Sequence, residues 1–141
     1  MKAGVVLVLV LEGCVDTLAP EVGISAAEAL CNEDSAPLQP VSFVAEISPI
    51  LRASCDRCHL PGGAGQMASG LDLSTYDSLR AGGLRSVRSI VVEGEPCASV
   101  LVKKLGPAPP FGSRMPRDSD PLLEPQLHLI HDWIAEGARD H

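Results

Sequence analysis

The chain has 141 residues, enough for one domain of roughly a hundred residues with a leader and a tail, and too few for two ordinary cores. A formal net charge of -7 offers no basic stripe that could displace counterions from phosphates, so nucleic acid is excluded as a partner and a basic or neutral protein fits better. Aromatic residues make up only 3% of the chain, so the core lacks the large ring surfaces that usually fill a small domain, and a buried apolar cofactor would supply that mass.

At the N-terminus Lys2 precedes the apolar run from Val5 to Leu11, which is too short to span a bilayer and suits the h-region of an export signal. Leu11-Glu12-Gly13-Cys14 follows and resembles the lipobox of bacterial lipoproteins, with Glu12 standing where a small residue is usual. That resemblance implies a signal peptide over residues 1–13, a lipid on Cys14 and a location at the periplasmic face of a membrane, with ordinary signal cleavage or a mature thiol at Cys14 as the alternatives. Residues 14–40 are rich in Ala, Glu, Asp and Pro without sustained periodicity and read as a flexible tether, so that the folded domain covers residues 41–141.

From Val41 onward, Phe43, Val44, Ile47, Ile50 and Leu51 recur at helical spacing, with Pro49 either in a first turn after Ser48 or bending the helix. This helix delivers the chain to Cys55. Residues 60–70 read as a Gly-rich loop, and Ser74-Thr75-Tyr76-Asp77 as a capping box opening a short helix that Gly82-Gly83 ends. Another short helix is expected from Ser99 to Leu105. The segment from Pro107 to Gly112 cannot continue it and is stiffened by prolines on the way to Met115. The last helix starts at Pro125, stops at Gly137, and carries Leu127, Ile130 and Ile134 on one face with Trp133 beside them. With no alternating strand pattern and no internal repeat, the domain is expected to be all-α with long loops.

Cys55-Asp56-Arg57-Cys58-His59 is the C-x-x-C-H pattern of covalent haem attachment. Two thiols three positions apart on a helix end reach the two vinyl groups of one porphyrin, and the adjacent imidazole then points at the iron. A zinc site would need a second ligand pair, whereas Cys31 and Cys97 are isolated. A thioredoxin-like redox pair would need a βαβ setting, and a Cys55–Cys58 disulfide would explain neither His59 nor the methionine loop.

With these residues in view, the stretch from Phe43 to Ala138 resembles class I cytochromes c, and especially the planctomycete-type cytochrome c domain. The matching pieces are Ile47-Ser48-Pro49-Ile50-Leu51, Cys55 to His59, Gly70-Leu71-Asp72-Leu73, Gly94-Glu95-Pro96 with Ser99 and Leu101, Arg114-Met115-Pro116, and Trp133-Ile134-Ala135-Glu136-Gly137-Ala138. Glu124-Pro125 departs from the serine cap usual for the last helix. The resemblance implies a small cytochrome fold, helices wrapped around one covalently bound haem c, with Cys55 and Cys58 as attachment points and His59 and Met115 as axial iron ligands.

Thioether ligation from a stiff loop favours the reduced iron and raises the potential relative to a second imidazole. Met67 is a rival methionine a few residues beyond His59. His128 and His131, spaced i and i+3 on the last helix, offer bis-histidine ligation, against the plainer reading of solvated helix histidines. Arg85, Arg114 and Arg117 are candidates for pairing with haem propionates. In an oxidising compartment the leftover Cys31 and Cys97 suggest one disulfide, with two free thiols as the alternative.

The expected function is one-electron transfer between periplasmic or membrane-associated redox partner proteins, with a membrane attachment through Cys14, no catalytic residues and no substrate transformed. The alternative is a haem-binding subunit, or a sensor or peroxidase-like protein, with a labile sixth ligand; no His/Arg distal pair is identifiable for it.

Overall fold

A computed structural model describes residues 30–31, 40–86 and 89–141. The described residues are all-α, without a β-strand. The signal segment 1–13, Cys14 and most of the expected tether lie outside them.

Ser42 starts the first element, its Oγ accepting from the Ala45 amide at 3.2 Å while the Glu46 carboxylate accepts from the Ser42 amide at 2.8 Å. Two otherwise unpaired amides at the chain entry are thereby satisfied. A π-helical turn, Phe43–Ile47, runs without a break into α1, Ser48–His59. Pro49 lies in the first turn of α1, where its missing N–H is tolerated, and the register change sits just ahead of it. Phe43, Ile47, Ile50 and Leu51 are buried as the periodicity predicts. Val44 is not: it is 66% exposed, because the wider π turn rotates it off the apolar face.

Residues 60–70 are not a plain loop. They contain α2, Ala64–Ser69, which Gly70 ends in the left-handed region at φ 69° while its amide bonds the Gln66 carbonyl. Two glycines let α2 lie against the end of α1. A Cβ on Gly63 would fall 2.5 Å from the Cys58 carbonyl oxygen, and one on Gly65 would fall 2.9 Å from that oxygen and 3.0 Å from Cε1 of His59. Glycine content, which lowers helix propensity and masked this helix in the sequence, is what allows the close approach.

α3, Tyr76–Ala81, is opened by a reciprocal capping box between Thr75 and Ser78, one residue later than the Ser74–Asp77 pairing expected, and Gly82 ends it. Ser74 is occupied otherwise, its amide donating to Asp72 Oδ1 at 2.8 Å. A 3-10 turn, Pro96–Ala98, leads into α4, Val100–Leu105, and the chain closes with α5, Glu124–Ala135. Ser99 is fully buried, its Oγ accepting from the Val92 amide at 2.8 Å and donating to the Glu95 carbonyl at 3.0 Å.

Trp133 and Ile134 of α5 pack with Ile47, Leu51, Leu79 and Ile130 in the fully buried centre. Three of the four aromatic rings gather there: Phe43 lies 5.2 Å from Tyr76 and 5.5 Å from Trp133, centroid to centroid. The Tyr76 hydroxyl donates to the Ala138 carbonyl at 2.8 Å and the Trp133 indole to that of Arg139 at 2.9 Å. With the Val41 amide on Glu136 Oε2 at 2.8 Å, both ends of the domain are tied to one another.

Part of the expected tether belongs to this core. Leu30 is 2% exposed within it, and Cys31 is disulfide-bonded to Cys97 with Cα atoms 5.6 Å apart. A cross-link over 66 residues restricts the unfolded chain by about 4 kcal/mol on a loop-entropy estimate.

Candidate functional site

Cys55, Cys58 and His59 occupy the last two turns of α1, so helical geometry alone places the two sulfurs on neighbouring turns beside the imidazole. Both cysteines carry free thiols, so the Cys55–Cys58 disulfide alternative is not formed. Burial, then the neighbouring Asp56 carboxylate, then Cys58, push the Cys55 thiol up from 9.0 to about 11.

His59 is buried and held at two points by the Gly70–Leu73 segment. Its backbone carbonyl accepts from the Leu73 amide at 2.9 Å. Its Nδ1 lies 3.2 Å from the Leu71 carbonyl oxygen, and since a carbonyl only accepts, Nδ1 carries the proton. In the neutral ring this leaves the Nε2 lone pair free, the tautomer required of a metal ligand and the usual outer-shell device for fixing one. Gly65 stands against the ring edge from α2.

A cavity of about 660 Å³ opens beside this helix end, and Cys55, Cys58, His59, Met115 and Arg117 are among the residues that line it. A second hollow of about 360 Å³ shares Cys55, His59, Met115 and Arg117 and continues into the apolar side chains of Leu73, Leu101 and Phe111. Volumes in this range suit a cofactor-sized ligand.

Met115 arrives on the loop after α4, and its amide donates to the Lys104 carbonyl at 2.7 Å. The Lys104 ammonium reaches back to the same loop, donating to the Phe111 carbonyl at 2.6 Å and to that of Ser113. Slight burial lowers its pKa from the ordinary lysine value. Lys104 carried no signal in the sequence beyond its place on a short helix.

The rival ligands fall elsewhere. Met67 is 69% exposed and lines neither hollow. His128 and His131 also line neither. His128 faces Glu124 at 3.8 Å, but His131 is not the solvated side chain expected: it is 4% exposed, with Nδ1 3.3 Å from Asp132 Oδ1. Of the three arginines, Arg85 and Arg117 line the hollows, while Arg114 turns to the Ser119 carbonyl at 3.4 Å. Among the described residues no group of three or more His, Cys, Asp or Glu could hold a metal ion, and the second ligand pair that a zinc site needs is not assembled.

No family model, curated protein or solved structure matches the chain. The functional reading therefore rests on the residues themselves.

The donor set fits a porphyrin better than a bare ion: two free thiols, one imidazole with a free Nε2 and one thioether, around hollows with an apolar extension. An iron porphyrin asks only two axial donors of the chain. The Cys55 proton also has a measurable consequence in the haem-free chain. Because the folded state holds it more tightly than the unfolded state does, stability is fully present below pH 9 and is lost as pH rises toward about 11. The loss should reach at most about 3 kcal/mol, read as a falling urea midpoint between pH 8 and pH 11, and Cys55→Ala should flatten it. A thioether at Cys55 has no proton to lose, so the same titration should be flat for a chain with haem attached there.

Proposed function

We propose that the protein is an exported single-haem c-type cytochrome that carries one electron at a time between redox partner proteins, attached to the periplasmic face of a membrane through a lipid on Cys14. The observation that carries this reading is that Cys55, Cys58 and His59 from the end of α1 and Met115 from the loop after α4 line one cavity. Cys55 and Cys58 are the residues that would bind haem c covalently; His59 and Met115 would hold its iron. Haem supplies the one-electron couple.

The chain's own contribution is to hold these donors still. His59 is oriented by the Leu71 carbonyl, and its ring is confined by Gly65. Met115 is set by a proline-stiffened loop bonded to α4. Donors held in this way would move little on a one-electron change, so the reorganisation accompanying electron transfer would be small. Leu73, Leu101, Leu105 and Phe111 line the smaller hollow, where they would limit the access of solvent to the haem, one of the levers on its potential. Arg85 and Arg117, which line the smaller hollow, would balance the acidic edge of the ligand.

The test is a visible spectrum of the exported protein, oxidised and then dithionite-reduced, with a pyridine haemochrome and a Met115→Ala comparison. Sharp reduced c-type bands and a weak red thioether-to-iron(III) band that the variant lacks are expected. Absence of covalent haem overturns the reading; haem without the red band moves it to the sensor or peroxidase-like alternative.

A further inference from the structure

We propose that Lys104 is the positioning residue for Met115, a clamp that fastens the loop from Phe111 to Met115 to helix α4 so that the thioether is held at the cavity wall. The proposal rests on the reading of Met115 as the distal ligand and adds to it the group that keeps the ligand in place.

The geometry is a two-ended clasp on a single side chain and its own backbone. At one end the Lys104 carbonyl accepts from the Met115 amide at 2.7 Å. At the other the Lys104 ammonium crosses the loop and donates to the backbone carbonyls of Phe111 and Ser113, with Nζ 5.0 Å from the centroid of the Phe111 ring. Between those two carbonyls sits Gly112 at φ 58°, in the left-handed region, which turns the chain so that both oxygens can face one cation. An ammonium has three protons and no acceptor; two bonds to uncharged carbonyls and a ring face are charge-assisted contacts that a neutral side chain could not replace.

The clasp is mounted on a firm base. Leu101, Val102 and Leu105 of α4 are buried, and the Leu101 amide is bonded to the Ile90 carbonyl at 3.0 Å. Prolines 107, 109 and 110 remove amide donors from the loop, so it has few ways of pinning itself by backbone bonds alone. Lys104 itself lines the smaller hollow with Met115 and Phe111, so the clamp and the ligand share one wall.

The experiment compares the exported, purified protein with Lys104→Met, Lys104→Gln and Lys104→Arg. The readouts are backbone amide exchange over residues 111–115, the red thioether band, and the affinity of iron(III) for added imidazole, which competes with the methionine. In Lys104→Met, exchange of the 111–115 amides should quicken at least tenfold with α5 unchanged. The red band should weaken or vanish and imidazole should bind at least tenfold tighter, with the haem still covalently attached. Lys104→Arg, which keeps the cation and its donors, should restore wild-type behaviour, whereas a merely structural packing role would be met by methionine as well. Should Lys104→Met not fold, Lys104→Gln, which shortens the stem and removes the charge, answers the same question. Exchange, red band and imidazole affinity all within twofold of wild type in the neutral variants overturn the proposal. A wild-type protein without covalent haem overturns the haem reading and with it the ligand role, while the exchange comparison still decides whether Lys104 fastens the loop.

Discussion

On the proposed cytochrome reading, replacing Cys55 and Cys58 together by serine is expected to abolish covalent haem retention, from one haem per chain to none detectable after denaturing electrophoresis and haem staining. Both sulfurs are free thiols at the same helix end and line the same cavity as His59. Each single variant keeps one thiol beside the cavity and should retain haem in part, whereas the double variant has no nucleophile left there: the remaining described cysteines, Cys31 and Cys97, are bonded to each other. Serine is nearly isosteric with cysteine, so the folded core should be disturbed little. Retention of haem by the double variant would place the attachment elsewhere and remove the basis of the cytochrome reading.

Trp133→Ala should be the most damaging single change to stability, costing about 3–5 kcal/mol, a large share of the 5–15 kcal/mol usual for a small domain. Its side chain is 0% exposed, its ring contacts those of Phe43 and Tyr76, and its indole nitrogen donates to the Arg139 carbonyl. Truncation therefore opens a cavity at the junction of the π turn, α3 and α5, and frees the C-terminal segment. Trp133→Phe keeps most of the apolar contact and should recover more than half of the loss, leaving the missing hydrogen bond. Urea unfolding of the disulfide-intact protein measures both; a Trp133→Ala loss below about 1 kcal/mol would show that the aromatic cluster is not the structural centre of the domain.

The Lys104 clamp and the aromatic cluster divide the molecule by task. The Phe43–Tyr76–Trp133 cluster ties the two ends of the domain together, while Cys55, His59 and Met115 line the two cavities.

The elements legible in the sequence were those encoded by neighbours in the chain. The helix leading into Cys55, the short helix before Gly106 and the closing helix that stops at Gly137 follow from 3.6-residue periodicity and from glycine and proline punctuation, which act over a turn or two. The Cys55–Cys58–His59 grouping is of the same kind, because residues three and four apart on a helix are neighbours wherever that helix goes. Helix α2 escaped notice because Gly63 and Gly65 read as loop formers, and only the Cys58 carbonyl and the His59 ring pressing against them explain why glycine is there.

What tertiary structure alone decided is which distant residues meet. The C-x-x-C-H spacing determined by itself that two thiols and an imidazole stand together. The fold decided that Met115 and not Met67, and Arg85 and Arg117 rather than Arg114, line the hollows. It also decided that His131 is buried beside Asp132 and that Leu30 and Cys31 are bound to the core. The physical reason is range: periodicity, capping and turn chemistry act between residues a few positions apart, whereas the carbonyls held by Lys104 and the imidazole held by the Leu71 carbonyl depend on packing that the whole core must close before any of them can form.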